Sequence, residues 1–205
     1  MPKILRQICF NLKIIWVSPL LIAFLLTNQQ KIIRQDIDRW EDCLSWSKRS
    51  PLKQLLALLQ EAQEFRNLYY YRLFKGNRAG KLAMFCLKIF YPPCPYLFLD
   101  LSCEIGPGLF IQHGFSTIIM AELGANCWIN QQVTIGYKDK TGRPKIGDNV
   151  RITAGAKVLG DIKIGNNVTV GANAVVVKDV PDDCVVVGIP AYILKRNGIT
   201  VKEKL

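Results

Sequence analysis

Residues 105–135 read IGPGLFIQHGFSTIIMAELGANCWINQQVTI, and residues 146–177 read IGDNVRITAGAKVLGDIKIGNNVTVGANAVVV. A beat returns at every sixth position: Ile105, Ile111, Thr117, Leu123, Ile129 and Ile135, then Ile146, Ile152, Val158, Ile164, Val170 and Val176. Thr117 alone departs from Ile, Leu or Val, and six of the beats are followed by Gly. A period of six fits neither the 3.6 residues of a helical turn nor the alternation of a hairpin strand. It is the spacing of a solenoid in which short strands wind round a prism and stack apolar residues along one axis. The expected fold is mainly β, a parallel β-helix over residues 96–192 preceded by an α-helical amino-terminal region.

Phase adds information to the fold. With three hexads to a coil, residues 18 apart share one line of the prism. The second block starts 11 positions after Ile135, so the loop Tyr137-Lys-Asp-Lys-Thr-Gly-Arg-Pro-Lys145 carries five residues beyond one hexad and bulges from the wall. Across it the offset becomes 23, and one apolar line runs Ile111, Ile129, Ile152, Val170. Two residues further on, the column is His113, Gln131, Ala154, Ala172. The only histidine of the chain therefore heads a line of one polar and two small residues, where an extended molecule has room to lie.

Outside the repeats the chain is basic and helical. Residues 1–98 hold 15 Lys and Arg against 6 Asp and Glu, a net +9, whereas residues 99–205 hold 12 against 10. A near-neutral repeat surface is a poor partner for nucleic acid, while the basic half suits anionic lipid headgroups. Within residues 1–30, Lys3, Arg6 and Lys13 precede an uncharged run from Ile14 to Thr27. That run has no small-residue cleavage site and falls short of the roughly 20 residues of a spanning helix. We expect a helix lying on the membrane surface, with Trp16 at the interface and Pro19 kinking it; a single span and a buried core helix are the alternatives. From residue 31 to 95 the pattern is helical. Ile37, Trp40 and Leu44 share one face, Ser50-Pro51 reads as an N-cap and first helical residue, and Leu52 to Phe65 forms an apolar face running into Tyr69-Tyr-Tyr71. The tyrosines read as packing. Residues 193–205 read as a polar, frayed tail.

Seven cysteines (9, 43, 86, 94, 103, 127 and 184) form no CxxC pair, and with one histidine there is no zinc ligand set. Their scatter suits small apolar residues in a reducing cytoplasm.

At the level of motifs, residues 100–196 resemble the hexapeptide-repeat acyltransferases, a left-handed parallel β-helix family, in the serine acetyltransferase-like branch. The matching stretches are Ile105 to His113, Gln132-Val-Thr-Ile-Gly136, Pro144-Lys-Ile-Gly-Asp-Asn-Val150, Ala154-Gly-Ala-Lys-Val-Leu-Gly160, Gly171-Ala-Asn-Ala174, Lys178-Asp-Val-Pro181 and Gly188-Ile-Pro-Ala191. The resemblance implies a homotrimer that binds acetyl-CoA in the cleft between neighbouring subunits, with no metal. It makes His113 the general base that takes the acceptor hydroxyl proton, a task that suits an imidazole at neutral pH. It sets Ala154 and Ala172 along the pantetheine arm, with Lys178 and Lys195 as candidates for the adenine or phosphate end. Glu104, Gln112, Gln131 and Arg143 are the candidates on the acceptor side.

Two departures bear on the acceptor. Gln112 stands where serine acetyltransferases carry an Asp before the catalytic His, and Arg143 is followed at once by Pro144, where they carry a second His between the two. Together with the hydrophobic amino terminus, these lead us to expect an O-acetyltransferase acting on a sugar hydroxyl in cell-surface polysaccharide assembly, attached to the inner face of the membrane. Serine O-acetylation in cysteine synthesis is the alternative enzyme reading, and a membrane-anchored trimeric scaffold the non-enzymatic one. The γ-class carbonic anhydrases share the solenoid but need three metal-binding histidines, and the chain has one.

Overall fold

The structure is a computed structural model that describes residue 12, residues 14–47 and residues 50–205. The chain divides into two compact units, residues 1–94 and 95–205.

The first unit is a helical bundle: α1 (Leu20–Leu26), α2 (Gln30–Leu44), α3 (Pro51–Glu61), α4 (Gln63–Lys75) and α5 (Arg78–Phe90). Proline opens α3 directly after Ser50, and Asn77 opens α5 by accepting a hydrogen bond from the Gly80 amide at 2.9 Å. The apolar run from Leu52 to Phe65 is not one helix: it breaks at Ala62, and Leu52 itself is exposed. Tyr69, Tyr70 and Tyr71 are buried, and burial pushes the phenols of Tyr69 and Tyr70 up. Their hydroxyls cross-link the bundle, Tyr69 donating to Leu20 O at 2.8 Å and Tyr70 to Tyr91 O at 2.7 Å. At the centre, Arg72 meets Asp36 through two bonds of 2.8 and 3.1 Å with both side chains sealed from solvent.

This bundle absorbs much of the hydrophobic amino-terminal run. Val17, Leu20, Ala23 and Phe24 are buried, and among the described residues no helix is long and apolar enough to cross a membrane. Residues 14–17 are helical, the path breaks at Ser18-Pro19, and α1 follows from Leu20. Lys3, Arg6 and Lys13 lie outside the described residues.

The second unit is the solenoid. Its strands are β1 (Leu97–Leu99), β2 (Phe110–Ile111), β3 (Thr117–Ile119), β4 (Glu122–Leu123), β5 (Trp128–Ile129), β6 (Thr134–Gly136), β7 (Lys145–Ile146), β8 (Arg151–Ile152), β9 (Lys157–Leu159), β10 (Lys163–Ile164), β11 (Thr169–Val170), β12 (Val175–Val176), β13 (Cys184–Val187), β14 (Tyr192–Arg196) and β15 (Ile199–Lys204). They form three walls. The first is β1-β3-β6-β9-β12, the second β4-β7-β10, and the third runs from β2 through β5, β8, β11 and β13 to β14 and β15. Pairing is parallel from β1 to β13, and Ile111, Ile129, Ile152 and Val170 stack in register as their spacing requires. Burying each such side chain stabilises the fold by about 1.5–3 kcal/mol relative to exposure. Cys103, Cys127 and Cys184 are buried among them, and burial raises the Cys184 thiol.

Left-handed turns fall mainly to Asn and Gly, which tolerate them. At one corner the turn side chains bridge successive rungs: Asp148 accepts from the Ala125 amide, Asn166 from the Asp148 amide and Asp182 from the Asn166 amide, at 2.6–2.8 Å.

Two expectations need correction. Ile119, not Thr117, pairs with Ile135, so the path from Ile111 to the first wall is two residues longer than the path from Ile129 to Ile135. The strict beat slips here because Thr117 occupies a different inward position. It is buried, with its hydroxyl bonded to the carbonyls of Phe115 (3.2 Å) and Asn130 (3.4 Å). Nor is the carboxy-terminal segment frayed: β14 and β15 form an antiparallel hairpin about Asn197-Gly198, both with positive φ. That is the preferred two-residue turn for a right-twisted ribbon.

Candidate active site

His113 lies at the corner between the third and first walls, just past β2. It is exposed, with φ +54, and its carbonyl accepts from the Phe115 amide at 2.9 Å. A non-glycine residue in this region is uncommon and held by its surroundings. The two additional residues of this corner provide that hold: the chain leaves the wall at Gln112, turns left-handed at His113 and again at Ser116, and rejoins at Thr117.

Below it, part of the column expected from spacing is present, but Phe115 and not His113 stands over Gln131: the Phe115 carbonyl accepts from the Gln132 amide at 3.1 Å, as the Gln131 carbonyl does from the Gly155 amide one rung on. The Gly155 amide donates to Gln131 O at 3.1 Å and the Asn173 amide to Ala154 O at 2.9 Å, which fixes Gln131, Ala154 and Ala172 on consecutive rungs. The pairing of Val170 with Val186 extends the line to Gly188. Three rungs of about 4.8 Å separate Gln131 from Gly188 by roughly 14 Å. A cavity of about 400 Å³ is lined by Val175, Val177, Lys178, Pro190, Ala191 and Tyr192 together with residues 202–205, and the column residues are not part of its lining. Lys178 projects its ammonium there and donates to Leu205 O at 2.6 Å. Lys195 is exposed on β14, outside that lining.

Gln112 faces outward along the third wall. Its Oε1 accepts from Trp128 Nε1 at 3.2 Å and from Asn130 Nδ2 at 2.9 Å. Trp128 is held in turn between Phe110, edge-on at 5.0 Å, and the Arg151 guanidinium, 4.5 Å above its ring. The residue before His113 is thus anchored by a stacked aromatic and an amide. The sequence reading missed this network, although the 18-residue offset that pairs Ile111 with Ile129 also relates Gln112 to Asn130.

Arg143 and Glu104 are not brought to His113 within the chain. Arg143 belongs to the loop joining the first and second walls, one corner away. There it donates to Ser102 Oγ at 2.8 Å and Ser102 O at 3.1 Å, with Asp100 at 3.8 Å, and so pins the bulged loop to the entry of the solenoid. Glu104 lies on the open face of the second wall with Glu122, Lys145 and Lys163.

Comparison with known proteins agrees with this geometry. Residues 143–178 match the family model described as bacterial transferase hexapeptide (six repeats). The chain is 47% identical over 105 residues to a serine acetyltransferase of Synechococcus elongatus, covering 49% of this chain and 43% of that one. It is 50% identical over 105 residues to the serine acetyltransferase of Staphylococcus aureus, covering 49% of each. The chain therefore spans about half the length of the relatives it matches. Among solved structures, serine acetyltransferase from Brucella abortus superposes with a TM-score of 0.64 at 28% identity over 83% of this chain and 70% of that one. The same enzyme in complex with coenzyme A gives 0.65 at 27% identity, over 83% and 69%.

These relatives overturn the expectation of a sugar acceptor in polysaccharide assembly. The relatives matched through the repeats are named serine acetyltransferase, and two local departures at Gln112 and Arg143-Pro144 weigh less than a likeness that runs over 105 residues. The fold is the left-handed parallel β-helix with helices before it, and the repeat unit is similar to the hexapeptide-repeat transferases and, among them, to serine acetyltransferases.

Proposed function

We propose that the chain is an acetyl-CoA-dependent O-acetyltransferase whose acceptor is the hydroxyl of serine, the first step toward cysteine. The observation that carries this reading is the corner itself: a lone exposed histidine, held left-handed two residues before Phe115, stands at the corner whose later rungs form a line through Gln131, Ala154 and Ala172. Acetyl-CoA would lie along that line with its thioester beside His113, its pantetheine arm over Ala154 and Ala172, and its phosphates toward Lys178. Lys195, outside the cavity lining, is a weaker candidate for the same charge.

In the reaction, His113 removes the proton from serine Oγ as the oxygen bonds to the thioester carbonyl carbon. The C–S bond then breaks, and the imidazolium returns its proton to the departing thiolate. Holding both substrates on one wall replaces a bimolecular collision, and no acyl-enzyme is required. Gln112, tied by Trp128 and Asn130, positions the histidine backbone, and Gln131 borders the acceptor side. Because Arg143 and Glu104 lie a corner away, they reach a histidine only across a subunit boundary, which fits a homotrimer with its sites between neighbours. The cysteines described as free fit a reducing cytoplasm.

The test is release of free CoA thiol from acetyl-CoA with and without L-serine. Serine-dependent release that falls at least about a hundredfold in His113→Ala is expected. Release that is indifferent to serine overturns the reading.

A further inference from the structure

Helix α5 is apolar on opposite sides. Gly80, Met84 and Tyr91 turn into the bundle, while Leu82, Phe85 and Ile89 stand outward at steps of three and four residues, 67%, 59% and 78% exposed. Helix α1 lies antiparallel beside it. Asn77 Nδ2 donates to Leu26 O at 2.9 Å at one end, and Tyr91 Oη to Trp16 O at 2.9 Å at the other. Gly80 permits the close approach, since a Cβ there would sit 3.1 Å from Thr27 Cβ. This neighbour and the helical residues 14–17 before it also turn apolar side chains outward: Ile15, Trp16 and Ile22 are each more than half exposed. Apolar stripes left outward on two helices side by side at a surface mark an interaction face.

Charge identifies the partner. Residues 1–35 contain five basic and no acidic side chains, and residues 65–99 contain six and none. Both helices fall within these stretches. On α5 the exposed Arg78 and Lys88 and the half-exposed Lys81 border the stripe. A second copy would set this basic rim against itself, whereas an anionic surface complements it. Among the described residues no helix can span a bilayer, which leaves an interfacial mode of contact.

We infer that α1, the helical residues 14–17 before it and α5 together form a docking face for anionic membrane lipid, in which Ile15, Trp16, Ile22, Leu82, Phe85 and Ile89 enter the headgroup–acyl boundary while Arg78, Lys81 and Lys88 meet the phosphates. The contact is shared between two helices 50 residues apart in sequence, not confined to the amino-terminal run, and it does not depend on the acyl acceptor.

Flotation of the full chain with vesicles tests it. Phosphatidylcholine vesicles containing phosphatidylglycerol should carry at least about tenfold more protein than phosphatidylcholine alone, and added salt should release it. The triple change Leu82→Gln, Phe85→Gln, Ile89→Gln should abolish flotation with helical circular dichroism retained. Lys81→Glu with Lys88→Glu, which leaves the bundle interior untouched, should remove the preference for the anionic lipid. The inference is overturned if the wild-type chain does not float, if the charge-reversed form floats like wild type, or if the face instead doubles the mass of the particle without lipid and the triple change reverses that. None of these outcomes bears on serine-dependent thiol release, so the two readings fail separately.

Discussion

The two units solve the same problem by opposite means. Of the polar and charged side chains buried among the described residues, Thr27, Asp36, Glu41, Gln54, Arg66 and Arg72 belong to the helical unit and Thr117 alone to the solenoid. The bundle is specified by single, irreplaceable bonds, such as Asp36 with Arg72 or Arg66 with the Leu59 carbonyl at 2.6 Å. The solenoid is specified by repetition, each rung resembling its neighbours and contributing a similar increment. The lesson lies in the exception: the one polar group inside the prism sits where the repeat slips by two residues, and the slip is what turns His113 outward. Regularity builds the wall, and its interruption builds the site.

Four substitutions sharpen or break that contrast. Asp36→Ala leaves the Arg72 guanidinium buried without its carboxylate and should cost about 3–5 kcal/mol in urea unfolding followed by tyrosine fluorescence of the bundle. His113→Ala should lower serine-dependent turnover by about 10²–10⁴-fold with the melting temperature unchanged; a comparable loss of stability would mean the histidine is part of the wall and not of the chemistry. Thr117→Val keeps the shape but deletes the hydroxyl that bonds the Phe115 and Asn130 carbonyls. A stability loss of about 1 kcal/mol should come with a fall in kcat and little change in KM for acetyl-CoA. Ile152→Val, one rung among many, should cost only about 0.5–1.5 kcal/mol and leave activity alone. If Ile152→Val proves as damaging as Asp36→Ala, the increments of the solenoid are not shared among rungs and the comparison fails.

How legible each part was follows the same division. The apolar lines could be read from spacing because every rung restates the rule, and the order Gln131, Ala154, Ala172 followed once the loop offset was tracked, while the slip set Phe115 in the place expected for His113. The slip at Thr117 was hidden because threonine is small and β-branched, and it falls on the expected beat while occupying a different inward position. The Asn197-Gly198 turn was legible as a hairpin signal, but a run of charged residues after it masked the strand. The Asp36–Arg72 pair could not be read at all: its partners are 36 residues apart on different helices, and no period connects them. The acceptor was misjudged because two missing side chains were weighed singly against a pattern carried by the whole repeat region.

One consequence of the closing hairpin remains. A stack of parallel rungs has no natural end, since the backbone groups of its last strand are as ready to pair as those of any other, and an uncovered edge recruits further chains into fibres. Here β13 is covered by a strand running the opposite way, and the outer margin of that cover, β15, carries Lys202, Glu203 and Lys204. Reversal at Asn197-Gly198 therefore works as a stopper against polymerisation at this edge of the third wall. Gly198→Val, which disfavours the positive φ of +78 at that turn, should show its harm as concentration-dependent aggregation before any loss of the walls above.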